Sequence, residues 1–184
     1  MKKTLIILAI VAVVSGLYAW GIYNKMVAAN EGVDNMWAQV ESQYQRRFDL
    51  IPNLVESVKG AMAQEQKVFG DLAEARSHYS GASTVSEKAA AAGQVESALS
   101  RLLVVMENYP QLKSTETVQT LMAQLEGTEN RISVERKRFN DAARDFNVMI
   151  KRFPAKLFAA FYGFSEKSYF ESATGAENAP SVNF

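Results

Sequence analysis

For chemistry, the 184-residue chain offers one histidine, His78, 20 acidic side chains and no cysteine. Without cysteine there is no thiolate to hold zinc, no thiol nucleophile and no disulfide within the chain. A metal site would have to be built from carboxylates. The closest groupings are Glu126 with Glu129, Asp141 with Asp145, and Glu65 with Asp71. None reproduces the paired Glu and Glu-x-x-His pattern of di-metal sites in helical bundles. A serine nucleophile needs a base held against it, and His78 sits in a Ser/Gly-rich stretch with no motif around it. No glycine-rich phosphate loop occurs. Arg46-Arg47 is a basic pair, but setting Lys2 and Lys3 aside leaves 18 of the 20 basic residues against 20 acidic ones, a poor footprint for nucleic acid. The inventory points to no catalytic residue, no metal, no cofactor and no small-molecule substrate.

What does stand out is polarity placed beside structural breaks. Arg46, Arg47, Asp49, Asn53 and Lys59 crowd the first proline of the domain, Pro52. Glu107, Tyr109 and Lys113 flank Pro110, and Glu129 and Arg131, with Asn130, Asn140 and Asn147, punctuate the last long apolar-periodic stretch. Two roles compete for these residues. They fix helix register by internal hydrogen bonds and ion pairs, or they form a patch for a partner. A buried arginine is costly unless paired, and Asp49 or Glu107 is the expected partner.

These residues need elements to hold them. Lys2 and Lys3 precede Leu5 to Tyr23, a stretch without formal charge that is long enough to cross the hydrocarbon core as a helix. A cleaved signal peptide is the competing reading, but with Ala19 at the cleavage point Leu17 falls where a small residue is needed. Trp20 and Tyr23 suit an interfacial aromatic belt, so residues 1–23 read as an uncleaved single-pass anchor contacting the bilayer through 5–23. Lys2 and Lys3 on one side, against Lys25 offset by Glu31 and Asp34 on the other, place the domain on the non-cytoplasmic side. Ala12-x-x-x-Gly16 and Ser15-x-x-x-Ala19 are spaced to seat another helix, a pattern common in any membrane span.

From Asn24 the period is helical at once: Val27, Val33, Trp37, Val40, Tyr44, Phe48 and Ile51 recur three and four apart. Pro52 interrupts the run, either as a kink or as the first turn of a new helix. Leu54, Val58, Met62, Leu72 and Ala75 continue the same face, which favours a kink. A turn is expected over His78–Glu87, with Ser83-x-x-Ser86 or Thr84-x-x-Glu87 capping the next helix. That helix runs to about Asn108 on Val95, Leu99, Leu102, Leu103 and Met106, and Pro110 ends it. A third spans about Thr115 to Arg152, with a stripe from Val118 to Ile150 and a charged side that includes Arg136. After Pro154 a short aromatic helix reads as laid over an open end of the bundle, or alternatively on the membrane surface. Residues 171–184 read as a disordered tail. The fold class is all-α: a transmembrane helix, then over 24–170 an elongated antiparallel bundle of three long helices plus a short C-terminal one.

The motif Arg46-Arg47-x-Asp49-Leu50-Ile51-Pro52-Asn53-Leu54-Val55-x-x-Val58-Lys59 resembles that of the LemA family of bacterial membrane-anchored helical proteins. Further matches are Val33-Asp34-Asn35-x-Trp37, Glu107-x-Tyr109-Pro110-x-Leu112-Lys113, Leu125-Glu126-Gly127-Thr128-Glu129-Asn130-Arg131-Ile132, Arg138-Phe139-Asn140, Asp145-Phe146-Asn147 and Phe153-Pro154. They spread over roughly residues 20 to 170. Phe48 stands where the family pattern usually has histidine, and Phe139 and Phe146 where it often has tyrosine. The resemblance implies an inner-membrane anchor, an elongated bundle and an accessory or scaffold part in the bacterial envelope, and it supplies no catalytic residue. The expected partner is an envelope protein or a second copy of the chain. An enzyme module hidden in the bundle and a self-assembling structural protein are the alternatives.

Overall fold

The structure, a computed structural model, describes residues 2–170, and every regular element among them is helical. The chain divides into two compact units, one formed by the residues up to Ala38 with Lys137–Tyr169, the other by Gln39–Arg136 with Phe170. Two helices, α1 (Lys2–Lys59) and α5 (Glu116–Lys151), contribute to both. The tail expected over 171–184 lies outside the described residues.

In the first unit, α1 begins with side chains that no other described residue covers: Leu5, Ile6, Leu8, Val13, Leu17 and Trp20 are all exposed. It is the one helix among the described residues long and apolar enough to cross a membrane. Residues 5–23 span roughly 28 Å at the rise of an α-helix, matching a hydrocarbon core of about 30 Å. Beyond them a buried stripe starts with Met26, Val33 and Trp37. Trp37 meets Phe139 of α5 edge-on at 5.7 Å. Asn147, also on α5 and buried, ties down the segment that follows the short last helix α6 (Ala155–Tyr162). Its amide donates to the Lys167 carbonyl at 2.9 Å, and its carbonyl accepts from the Lys167 backbone N–H at 2.8 Å. Lys167 Nζ in turn donates to Asp34 at 2.9 Å. Gly163, in the left-handed region at φ 76°, closes α6 with the reversal that only glycine adopts without strain.

The second unit departs from the expected long second half of the first helix. Helix α1 runs on through Pro52 and stops at Lys59; a turn at 60–65, with Glu65 N–H on the Met62 carbonyl at 2.9 Å, separates it from α2 (Gln66–Gly81). Met62 is fully buried inside that turn, so the apolar register survives while the backbone does not remain helical. The loop that follows is also shorter than expected. Helix α2 continues past His78 to Gly81, and α3 (Val85–Val105) starts at the Thr84 cap. A 3₁₀ turn, Met106–Asn108, and a four-residue helix α4, Pro110–Lys113, then lead to α5. Tyr44, Phe48, Ile51 and Leu54 of α1, Leu72 and Tyr79 of α2, Val95, Leu99 and Leu102 of α3, and Val118, Leu125 and Ile132 of α5 form the core. Apart from Tyr79, which falls within the turn expected over 78–87, these are positions that the three- and four-residue spacing selects.

The Thr84-x-x-Glu87 capping box is present. Thr84 Oγ1 accepts from the Glu87 N–H at 3.1 Å, and the Glu87 carboxylate accepts from the Ser83 and Thr84 N–H groups at 2.9 and 3.0 Å. Those backbone donors hold the Glu87 carboxyl below its ordinary value. Thr84→Ala is expected to lower the stability of the detergent-solubilised chain by about 1 kcal/mol in a denaturant titration. The Glu87 contribution is present above its unfolded pKa of 4.5 and is lost as pH falls through the lower folded value. The stability gap between wild type and Glu87→Gln should therefore close on acidification below pH 4.5; an unchanged gap would show that the carboxylate is not what caps α3.

Candidate functional site

The proposed patch residues divide. Arg47, Glu107, Lys113 and Glu129 come together around one groove of about 740 Å³, whose apolar walls include Leu103, Val104, Val118 and Met122. Arg46 and Arg131 line a separate hollow of about 410 Å³ with Leu50 and Thr128. Of the other four, Asp49, Asn53 and Lys59 make local contacts and Tyr109 reaches a distant one. Asp49 accepts from Gln45 Nε2 at 2.8 Å, the Asn53 carbonyl accepts from Ser57 Oγ at 2.7 Å, Lys59 faces Glu56 at 3.9 Å, and the Tyr109 hydroxyl reaches Glu65 at a long 3.4 Å.

Arg47 is the one charged residue buried among the described residues. Its partner is neither Asp49 nor Glu107, as the sequence suggested, but Glu129 of α5. Asp49 is exposed, and Glu107 points its charge to Lys113 at 3.8 Å. Burial holds the Arg47 guanidinium below its ordinary value, while the nearby Glu96 charge opposes that. Arg47 Nε is buried with no hydrogen-bond acceptor among the described residues, so its pairing through Nη1 to Glu129 leaves the fork half used.

A second polar centre went unread in the sequence. Arg136, placed there on the solvated side of α5, is half-buried. It donates through Nε to the Tyr44 hydroxyl at 2.8 Å and through Nη2 to Glu96 Oε1 at 2.9 Å. This joins α5, α1 and α3. Burial alone would lower the Arg136 pKa; Tyr44 and Glu96 outweigh it and the net shift is upward. Burial, then the Glu96 charge, pushes the Tyr44 hydroxyl up as well. Phe48 stacks on Tyr44 at 5.6 Å and meets Tyr79 edge-on at 4.7 Å, so this position packs an aromatic cluster in this chain. Lys88 adds a further tie from α3 to Glu41 of α1. The only sequence signal for Arg136 was its place on α5 one turn beyond the buried Ile132.

His78 lies on the surface of α2 and shares a 3.0 Å hydrogen bond with Gln94 of α3. Among the described residues no group of three or more His, Cys, Asp or Glu could hold a metal ion. Four charged side chains of the groove are engaged in two pairs, Arg47 with Glu129 and Glu107 with Lys113, and much of its wall is aliphatic and thioether carbon.

Fold and site together define an all-helical protein with an apolar N-terminal helix and an apolar, charge-rimmed groove. The LemA family model matches residues 36–184, and the chain belongs to that family. It is also similar to the magnetosome protein MamQ 2 of Paramagnetospirillum magneticum, with 27% identity over 182 residues covering 81% of this chain. The MamQ protein of Magnetospirillum gryphiswaldense is 28% identical over 174 residues, 80% of this chain. The chain spans about 64% of the length of these curated relatives.

Removing Glu129 alone strands a buried guanidinium, whereas replacing both partners with apolar side chains does not. Glu129 is 46% exposed, so water softens the loss to about 1–2 kcal/mol rather than the 3–5 kcal/mol of a fully buried pair. In a double-mutant cycle, Glu129→Leu should cost that much in a denaturant titration, and Arg47→Met with Glu129→Leu should recover most of it. Equal losses in the single and double variants would mean that the pair is not coupled.

Proposed function

We propose that this protein is a membrane-tethered interaction or scaffold protein of the bacterial envelope, with residues 1–23 as its single-pass anchor and 24–170 as its helical domain. In this reading the domain lies on the non-cytoplasmic side of the inner membrane, supported by Lys2 and Lys3 before the apolar stretch. The observation that carries the reading is the groove between α3 and α5. Leu103, Val104 and Met122 offer apolar area for a partner's side chains, while Glu107, Lys113 and the Arg47–Glu129 pair supply a polar rim that fixes orientation. Val104, with 63% of its surface open to solvent, is an apolar side chain with no cover from its own chain. The similar proteins are named for the magnetosome and not for a reaction, which accords with an accessory role.

The test is crosslinked co-purification from native membranes. Because Arg47 is buried, reversing its charge would test folding and not binding. Val104→Gln with Lys113→Glu alters two exposed groove positions instead, and Arg46→Glu with Arg131→Glu alters the separate hollow. A defined envelope protein captured by wild type should be lost from the groove variant and kept by the other, with helical content equal in all three. Equal capture by all three would remove the groove as the binding site. Loss only with Arg46 and Arg131 changed would move the site to the hollow.

A further inference from the structure

Helix α6 carries a face that the described residues leave open. Phe153 and Phe161 are each 82% exposed and Leu157 is 63% exposed, although apolar side chains of this size usually find cover. Leu157 and Phe161 stand four residues apart, which places both on one side of α6, and Phe153 lies in the turn that leads into the helix. Opposite them Ala159 is buried, so the helix is seated by one face and presents the other.

The position of that face within the first unit identifies its cover. Tyr162, the last residue of α6, lies against Tyr23 with ring centroids 4.7 Å apart, and Phe164 meets Tyr23 at 6.2 Å. Phe161 contacts Tyr162 edge-on at 5.0 Å. Tyr23 closes the apolar stretch 5–23, so these contacts set α6 at the level where the span leaves the hydrocarbon. Helix α6 is thereby attached where the exposed apolar surface of α1 ends. Charge agrees in part: Lys151 is paired with Glu166 at 2.7 Å, but Arg152 and Lys156 flank the start of α6 with no acidic residue between Asp145 and Glu166, a local balance that suits an anionic lipid surface. Aromatic side chains beside cations are also what an interfacial belt contains.

We infer that α6 is a second membrane contact: it lies in the interface of the leaflet where the α1 span ends, with Phe153, Leu157 and Phe161 inserted among the upper acyl chains and Arg152 and Lys156 at the headgroups. This chooses between the two placements that the sequence left open, the bundle end and the membrane surface, and it joins them, since the Ala159 and Tyr162 face packs on the protein while the opposite face meets lipid. One consequence is a fixed orientation. A single span can rotate about its axis, whereas a span with an attached interfacial helix holds the first unit at a set tilt to the bilayer. The inference rests on residues 5–23 crossing the membrane and does not depend on the partner groove.

The absence of cysteine makes the test direct. Single cysteines replace Leu157, Phe161, Val13 and Lys137 in the full chain, are labelled with a small fluorophore, and the protein is reconstituted in vesicles of phosphatidylcholine and phosphatidylglycerol. Lys137 is exposed on α5 near the Trp37–Phe139 contact, well past the end of the span, and serves as the aqueous reference. Quenching by lipids carrying a nitroxide high on the acyl chain should be strong at 157 and 161 and weak at 137. A deep nitroxide should quench position 13 more than 157 or 161, as expected for a face sunk roughly 5–10 Å. Quenching at 13 with none at 157 and 161 overturns the α6 contact and leaves the span standing. No quenching at any position removes the span and this inference with it. Fluorophores at 161 that quench one another between copies, without lipid quenching, would assign the face to a second copy and also overturn it.

Discussion

The apolar side chains from Leu5 to Trp20 find no cover among the described residues and need it from outside them. Leaving an aliphatic side chain in water forgoes about 1.5–3 kcal/mol relative to burying it, and here an entire helical surface is left bare on every side. A helix that is apolar all round and uncovered by protein belongs in lipid. That constraint orders the rest of the first unit. It puts Tyr23 at a boundary between solvents, explains why the buried stripe begins only at Met26, and gives the aromatic residues of α6 a reason to remain open while Asn147 and Lys167 tie the following segment back to α5 and α1.

The second unit solves a different problem, the alignment of long helices with similar apolar stripes. Such stripes slide past one another at little cost, because one leucine resembles the next. Polar groups held at single points do not slide. Arg136 on Tyr44 and Glu96, Arg47 on Glu129 and Lys88 on Glu41 each bind one register of α1 against α3 or α5. Half-buried pairs of this kind add little net stability over apolar side chains of the same volume. Their contribution is to penalise every other alignment, since a shift by one turn would bury each guanidinium without its partner.

How much of this was legible in the sequence depends on distance along the chain. Local signals were read correctly: the apolar stripes, the Thr84–Glu87 capping box, and Pro154 and Gly163 bracketing α6 all act within a few residues. The break at 60–65 was hidden because Val58 and Met62 keep the helical spacing across it, and Gly60 is only a mild helix breaker. The partner of Arg47 was misassigned to Asp49 or Glu107, its sequence neighbour and a residue at another break, because ion-pair choice is set by which helix faces which; Glu129 is 82 residues away. Arg136 was read as solvated for the same reason. Its acceptors come from two other helices, and no pattern on α5 announces them. Family resemblance pointed to the right motif around Pro52 but could not say that Arg46 and Arg47, adjacent in sequence, serve different hollows.

Titration in the second unit is shifted mostly away from neutral pH. A general acid or base works best with a pKa near the operating pH. Burial and pairing instead drive the resolved groups away from neutrality: Tyr44 and Arg136 move up, Tyr79 is pushed up to about 12 by burial and by Glu41, and Glu87 moves down. Arg47 moves down, but from an ordinary value of 12.5 and with Glu129 against it, so it stays a cation. Fixed charges that do not titrate near neutral pH are suited to orienting a partner, because their sign is the same whether or not the partner is bound. An apolar floor then supplies the area. In the proposed binding role, desolvating Leu103, Val104 and Met122 would supply affinity and the Arg47–Glu129 and Glu107–Lys113 pairs selectivity, a division of labour that needs no reacting group.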